Sequence, residues 1–209
     1  MPRKQIWTLA ACTIVALLLG ILAARVLTRS ATPEPTLSAG TLLNPARPLG
    51  DFHLSTETQR PFTHAALEGQ WTLLFFGFTS CPDLCPTTLA FLSQLTKSLA
   101  DLPQAKRPHV VFVSVDSERD TPETAGQYAR YFDPAFTGAT GSRSEIAGIT
   151  KTFGVPYAVT RTADGNVTVD HSAALFLVNP HAELQALFTS PSDLKAVSAD
   201  IRRVIVGRT

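Results

Sequence analysis

Two cysteines stand four residues apart in "FTSCPDLCPTT", residues 78–88, and each is followed by a proline. They are Cys81 and Cys85, placed directly after the apolar run "WTLLFFGFT". A thiol pair at this spacing can exchange electrons as a dithiol–disulfide couple, clamp a soft metal as two thiolates, or staple a loop. The staple is the weakest of the three. A bridge over so few residues removes little chain entropy, and a domain of this size needs none. Redox and metal chemistry both stay open, because each needs a thiolate. Dithiol oxidoreductases usually carry Cys-x-x-Cys. The additional residue here still permits a Cys81–Cys85 disulfide, but it also lets the turn hold two sulfurs apart around an ion. Two thiolates alone suit Cu(I), which is content with few ligands, whereas Zn(II) demands four.

A third ligand therefore matters. Of the five histidines, His53, His64, His109 and His181 read as structural or surface residues. His171 differs in position: it ends "VTVDH" and immediately precedes the apolar stretch "SAALFLVNP". An imidazole there would complete a trigonal Cys2His site, which suits Cu(I) and leaves Cu(II) open. Among the carboxylates, Asp120 reads as a helix cap, Asp116 and Asp170 as solvated strand ends, and Asp83 as support for a helix N-terminus.

The elements that must position these groups follow from the hydrophobic pattern. "WTLLFFGF" (71–78), "HVVFVSVD" (109–116) and "SAALFLVNP" (172–180) predict buried strands. Pro86 suits the first turn of a helix whose Leu89, Leu92, Leu95 and Leu99 share a face. On that reading Cys85 lies at the helix N-terminus, where the helix dipole would lower its pKa. Asp120 with Glu123 opens a second helix, and Ser142 with Glu145 a third that Gly154 ends. Asp193 starts a last helix over 191–206. "ADGNV" (163–167) and "NPHAEL" (179–184) predict turns. Strand–helix–strand followed by hairpin and terminal helix describes an α/β, thioredoxin-like sandwich. In such folds the loop holding His171 faces the cysteine turn.

Of the 209 residues, 44% are apolar, and 18 basic side chains balance 17 acidic ones. With a net charge near +1 and no basic patch, the composition gives no case for nucleic acid. "QIWTLAACTIVALLLGILAA", residues 5–24, carries no charge and is long enough at about 1.5 Å per residue to cross a hydrocarbon core. The expected organisation is a cytoplasmic N-terminus at 1–4, a single transmembrane anchor at 5–27, a flexible tether at 28–45 and one domain at 46–209. Cys12 falls inside the anchor. "LAAC" has the form of a lipoprotein cleavage box, but too few apolar residues precede it, and an inert anchor thiol is the preferred reading.

"FFGFTSCPDLCPTTL", "VSVDSERDTPE" and "VDHSAALFLVNP", in this order and at these separations, resemble the Sco/SenC family. The resemblance covers about residues 45–206 and includes "LGDFHL" and "LEGQW". It implies a membrane-tethered, thioredoxin-like copper metallochaperone with the metal held by Cys81, Cys85 and His171, a binding protein rather than a turnover enzyme. As partners it implies the copper-bearing subunit of cytochrome c oxidase, and it admits another periplasmic copper chaperone. The implied location is the inner membrane of a bacterium, with the domain in the periplasm. A thiol–disulfide oxidoreductase acting on the oxidase cysteines, or a redox or copper sensor, would use the same pair. Ser117, Gln70 and Phe176 depart from residues common in the family at those places, and none of them is a ligand.

Overall fold

Leu73 and Phe75 pack on one side of their strand and Leu74 and Phe76 on the other, and all four are buried. A strand with both faces covered reads as a continuous apolar run rather than an alternating one, which is why this segment was legible. The computed structural model describes residues 13–21, 24, 36–155, 158–161, 167–170, 173–189 and 191–207. The strand in question, β4 (Thr72–Gly77), lies in the middle of an eight-stranded mixed sheet of order β1-β10-β9-β4-β5-β6-β2-β3. It runs parallel to β5 (His109–Ser114) and antiparallel to β9 (Leu175–Val178), and β5 runs parallel to β6 (Thr137–Thr140). The remaining strands of the sheet are β1 (Thr41–Pro48), β2 (His53–Thr56), β3 (Pro61–Thr63) and β10 (Glu183–Phe188). β7 (Ala158–Arg161) and β8 (Val167–Asp170) form a separate antiparallel pair; of the turn expected at 163–167, residues 163–166 lie outside the described residues and Val167 opens β8.

Helices cover both faces. Helix α1 (Leu84–Ser98) buries Leu89, Leu92 and Leu95 against Leu73, Phe75 and Phe112. On the same side lie α2 (Pro122–Phe132), through Ala125 and Ala129, and α4 (Leu194–Val206), through Val197 and Ile201. Helix α3 (Arg143–Phe153) covers the other face with Ile146, Ile149 and Phe153. Its expected capping box is present, with Ser142 and Glu145 exchanging hydrogen bonds, and Gly154 ends it at φ 68°. Helix α1 begins two residues before Pro86; proline is tolerated in a first turn because its missing N–H would have no intrahelical partner there.

The start of the domain differs from expectation. The folded unit runs from Thr36, so residues 36–45 are not tether. Strand β1 pairs with β10, Thr41 opposite Leu187 and Pro48 opposite Glu183. Ahead of it, the backbone N–H groups of Ser38 and Ala39 both donate to Asp200 Oδ2 at 2.7 Å, and Ser38 Oγ donates to Oδ1 at 3.1 Å. This edge is held by backbone pairing and one buried carboxyl group, neither of which leaves an apolar period in the sequence. Among the described residues no helix is long and apolar enough to cross a membrane. Residues 13–21, within the expected anchor, are helical and exposed, and most of the rest of that segment lies outside the described residues.

Replacing Asp200 with alanine strands two N–H groups and the Arg203 guanidinium, which also donates to it at 3.2 Å. The Asp200→Ala chain should lose on the order of 3 kcal/mol in urea unfolding and gain a protease-sensitive site near residues 36–40. An unchanged urea midpoint would contradict the clasp.

Candidate metal centre

Strand β4 ends at Gly77, and the chain turns through Phe78–Asp83 into α1. Three contacts shape this turn. Cys81 N–H donates to Phe78 O at 3.3 Å. Thr79 donates to Asp120 twice, from its backbone N at 2.8 Å and from Oγ1 at 2.5 Å. Cys85 N–H, one of the first-turn amides that a helix cannot satisfy internally, donates to Cys81 Sγ at 3.4 Å. Asp83 occupies the N-cap position but makes no side-chain cap bond, so the sulfur of Cys81 takes that role.

The two thiols are unbridged and differ in environment: Cys81 is partly exposed and Cys85 is buried. Cys85 Sγ fits against Gly77, where a Cβ would come within 2.7 Å of the sulfur and 3.0 Å of Phe112 Cε2. Burial pushes the Cys85 thiol well above its ordinary value of 9.0; hydrogen bonding to the Phe78 backbone opposes this, and Cys81 adds to it. The helix start was expected to lower that pKa. Desolvation in an apolar pocket outweighs it, and the amide of Cys85 points at the other sulfur.

Asp120 is not the helix cap that the sequence suggested. Thr121 caps α2, with Thr124 completing the capping box. Asp120 is buried and accepts from Thr79 N, Thr79 Oγ1 and Ser114 Oγ, which ties the cysteine turn to the end of β5. Asp116 is also buried rather than solvated, with Arg119 Nε donating to it at 2.5 Å. Signals for the Asp120 contact and for the pocket of the Cys85 sulfur were present. Ser114 is a hydroxyl inside an apolar strand and needs a partner, and Gly77 interrupts an apolar run where something approaches closely.

Four histidines sit where expected. His53 Nδ1 is 3.0 Å from Glu145 Oε1, and His64 pairs loosely with Glu68. His109 Nε2 meets Thr137 Oγ1 at 2.9 Å, and burial lowers its pKa. His181 is an exposed residue of the β9–β10 turn. His171 lies outside the described residues, one position beyond the end of β8. Among the described residues no group of three or more His, Cys, Asp or Glu side chains is arranged to hold a metal. What these residues assemble is a two-sulfur turn: one accessible thiol and one buried thiol on a rigid strand–helix junction.

A mixed sheet covered by helices on both faces, with a dithiol turn between a central strand and the helix that follows it, defines a thioredoxin-like protein. The chain belongs to the SCO1/SenC family, whose model matches residues 41–206. It is 36% identical over 155 residues to the human mitochondrial protein SCO2 homolog, covering 74% of this chain and 58% of that one. Among solved structures it is similar to Arabidopsis thaliana ScoI with copper bound, with a TM-score of 0.71 and 31% identity over 76% of this chain and 98% of that chain. Bradyrhizobium japonicum ScoI with copper bound gives a TM-score of 0.66 and 34% identity over 75% and 99%.

The asymmetry of the thiols predicts the order of their modification. At neutral pH iodoacetamide should alkylate Cys81 first and reach Cys85 only when the domain opens, as peptide mapping of a time course would show. Because the folded state keeps the Cys85 proton that the unfolded chain releases, this thiol's contribution to stability is intact below pH 9.0 and lost as pH rises above it. Equal alkylation rates at both positions would contradict the burial.

Proposed function

We propose that this chain is a copper metallochaperone that holds one copper ion through Cys81, Cys85 and His171 and delivers it to the copper-bearing subunit of cytochrome c oxidase. The observation that carries the reading is the pair itself: two unbridged thiols on one turn, with the amide of Cys85 donating to the sulfur of Cys81 at 3.4 Å. It gains support from the relatives of this fold whose structures contain copper. The donor set fits the ion. Two thiolates are soft ligands, Cu(I) accepts a low coordination number, and one imidazole completes a trigonal shell that Cu(II) can also use.

The burial of Cys85 suits loading and release. A thiolate in a dry pocket is costly on its own, so without metal the proton stays on; binding exchanges the thiol protons for a cation that neutralises the sulfurs. Thiol–disulfide exchange with an external disulfide, which takes up the two electrons and leaves as two thiols, would close the Cys81–Cys85 bridge, remove both thiolates and release the ion, giving a route to unloading. An anchor at 5–27 would hold the domain on the periplasmic side of a bacterial inner membrane, with another periplasmic chaperone as a candidate partner.

The full-length chain, reduced, should bind one Cu(I), and the fully oxidised chain none, by metal analysis after desalting. His171→Ala should lose Cu(II) binding and keep weakened Cu(I) binding through the thiolates. The rival function, reduction of the oxidase cysteines, should survive that substitution because it depends on the thiols alone. Cells carrying His171→Ala that assemble their oxidase normally, while Cys85→Ser cells do not, would place dithiol exchange ahead of copper delivery.

A further inference from the structure

The end of β4 remote from the cysteines borders a cavity of about 480 Å³ whose walls carry two unpaired charges and an unpartnered donor. Trp71, the residue before β4, lines it and is only 5% exposed. Its indole N–H has no hydrogen-bond partner among the described residues, yet it is not sealed from solvent. Lys106, which ends the one-turn helix Gln104–Lys106, and Glu183, the first residue of β10, line the same space. Neither belongs to an ion pair among the described residues, so an ammonium and a carboxylate share one cavity without touching. Ile205 of α4 adds an apolar wall.

The carboxylate is held in place from behind. Asn179 is buried, and its Oδ1 accepts from His181 N at 2.9 Å and from Glu183 N at 3.1 Å. Its Nδ2 donates to Glu183 Oε2 at 3.0 Å and to Gln185 Oε1 at 3.3 Å. Gln185, fully buried, donates in turn to Leu43 O at 2.9 Å. Buried amides are costly unless bonded, and these two are bonded at both oxygen and nitrogen, with the Glu183 carboxylate at the open end of the network. Glu183 Oε2 is thereby fixed, while Oε1 has no partner among the described residues. An anion entering alone would be repelled by Glu183, and a cation alone by Lys106. A molecule that carries both charges pairs each of them.

We propose that this cavity binds a free α-amino acid with an apolar side chain. The ligand's carboxylate meets the Lys106 ammonium and the Trp71 N–H, its ammonium donates to Glu183 Oε1, and its side chain lies against the indole ring and Ile205. The volume falls in the range that holds a small molecule, and a charge-assisted bond at each end of the ligand sets its orientation. The six residues of β4, about 20 Å of extended chain, separate this site from the cysteine turn. The two share no residue, so amino-acid binding does not rest on the copper reading.

The test titrates L-leucine into the copper-free, full-length chain, by calorimetry and by the indole N–H resonance of Trp71. The chain has two tryptophans, Trp7 and Trp71, so a Trp71→Phe chain assigns the signal. L-leucine should bind saturably and move the Trp71 resonance. Lys106→Met and Glu183→Gln should each weaken binding about ten-fold, the usual effect of losing one charge-assisted contact. Glutamine at 183 still offers an oxygen to Asn179, so the network behind the site is kept and the urea midpoint should not move. Isovalerate, which lacks the ammonium, and isoamylamine, which lacks the carboxylate, should each bind at least ten-fold more weakly than L-leucine. Absence of saturable L-leucine binding overturns the proposal, as does binding that leaves the Trp71 resonance in place. Unchanged affinity in both variants overturns it too, and equal affinity for isovalerate would make this a plain anion site.

Discussion

The sulfur of Cys85 occupies a space that exists because residue 77 has no side chain, and much of the site follows from that fit. A methyl group at Gly77 would press on the sulfur at 2.7 Å and on the ring of Phe112 at 3.0 Å, so strand, helix and aromatic core meet around one atom. The cost is desolvation. A thiol placed there resists ionisation, and the field of the helix start does not rescue it. One sulfur is therefore kept protonated by its surroundings while the other reaches solvent. A soft cation is the natural way to hold both as thiolates in that setting.

Around this atom the fold builds a rigid junction. Strand β4 is flanked by two hydrogen-bonded neighbours and covered on both faces, so Gly77 has little room to move. Asp120 holds Thr79, two residues before Cys81, against Ser114 at the end of β5, fixing the near side of the turn. Cys81 itself accepts from the first turn of α1, fixing the far side. The thiol pair is thus spaced by hydrogen bonds from three elements, and a dithiol so held can take up an ion or close to a disulfide with little rearrangement elsewhere.

Much of this was legible in the sequence, for identifiable reasons. The central strands announced themselves because burial on both faces makes an unbroken apolar run, and α3 because Ser142, Glu145 and Gly154 each have a local role at a helix end. Cys81 and Cys85 stood out by type and spacing. What stayed hidden depends on partners far away in the chain. Strand β1 is recruited by β10 and by Asp200, more than 130 residues later, and the short strands β2, β3 and β6 have too few residues for a period to show. Asp120 looked like a cap because an acid before Thr-Pro normally is one; only the fold reveals that it faces inward to Thr79 and Ser114. The pKa of Cys85 was misjudged for a similar reason. The dipole of a helix is visible in a sequence, whereas the dryness of the pocket that receives a side chain is not.

The central claim, a copper site made of two sulfurs and one imidazole, is tested most directly by X-ray absorption at the copper edge of the full-length chain loaded with Cu(I). Cys81, Cys85 and His171 as ligands predict a first shell of two sulfur scatterers and one nitrogen, with the outer-shell pattern of an imidazole ring, and loss of that pattern in His171→Ala. A shell containing only one sulfur, or only nitrogen and oxygen, would contradict the account.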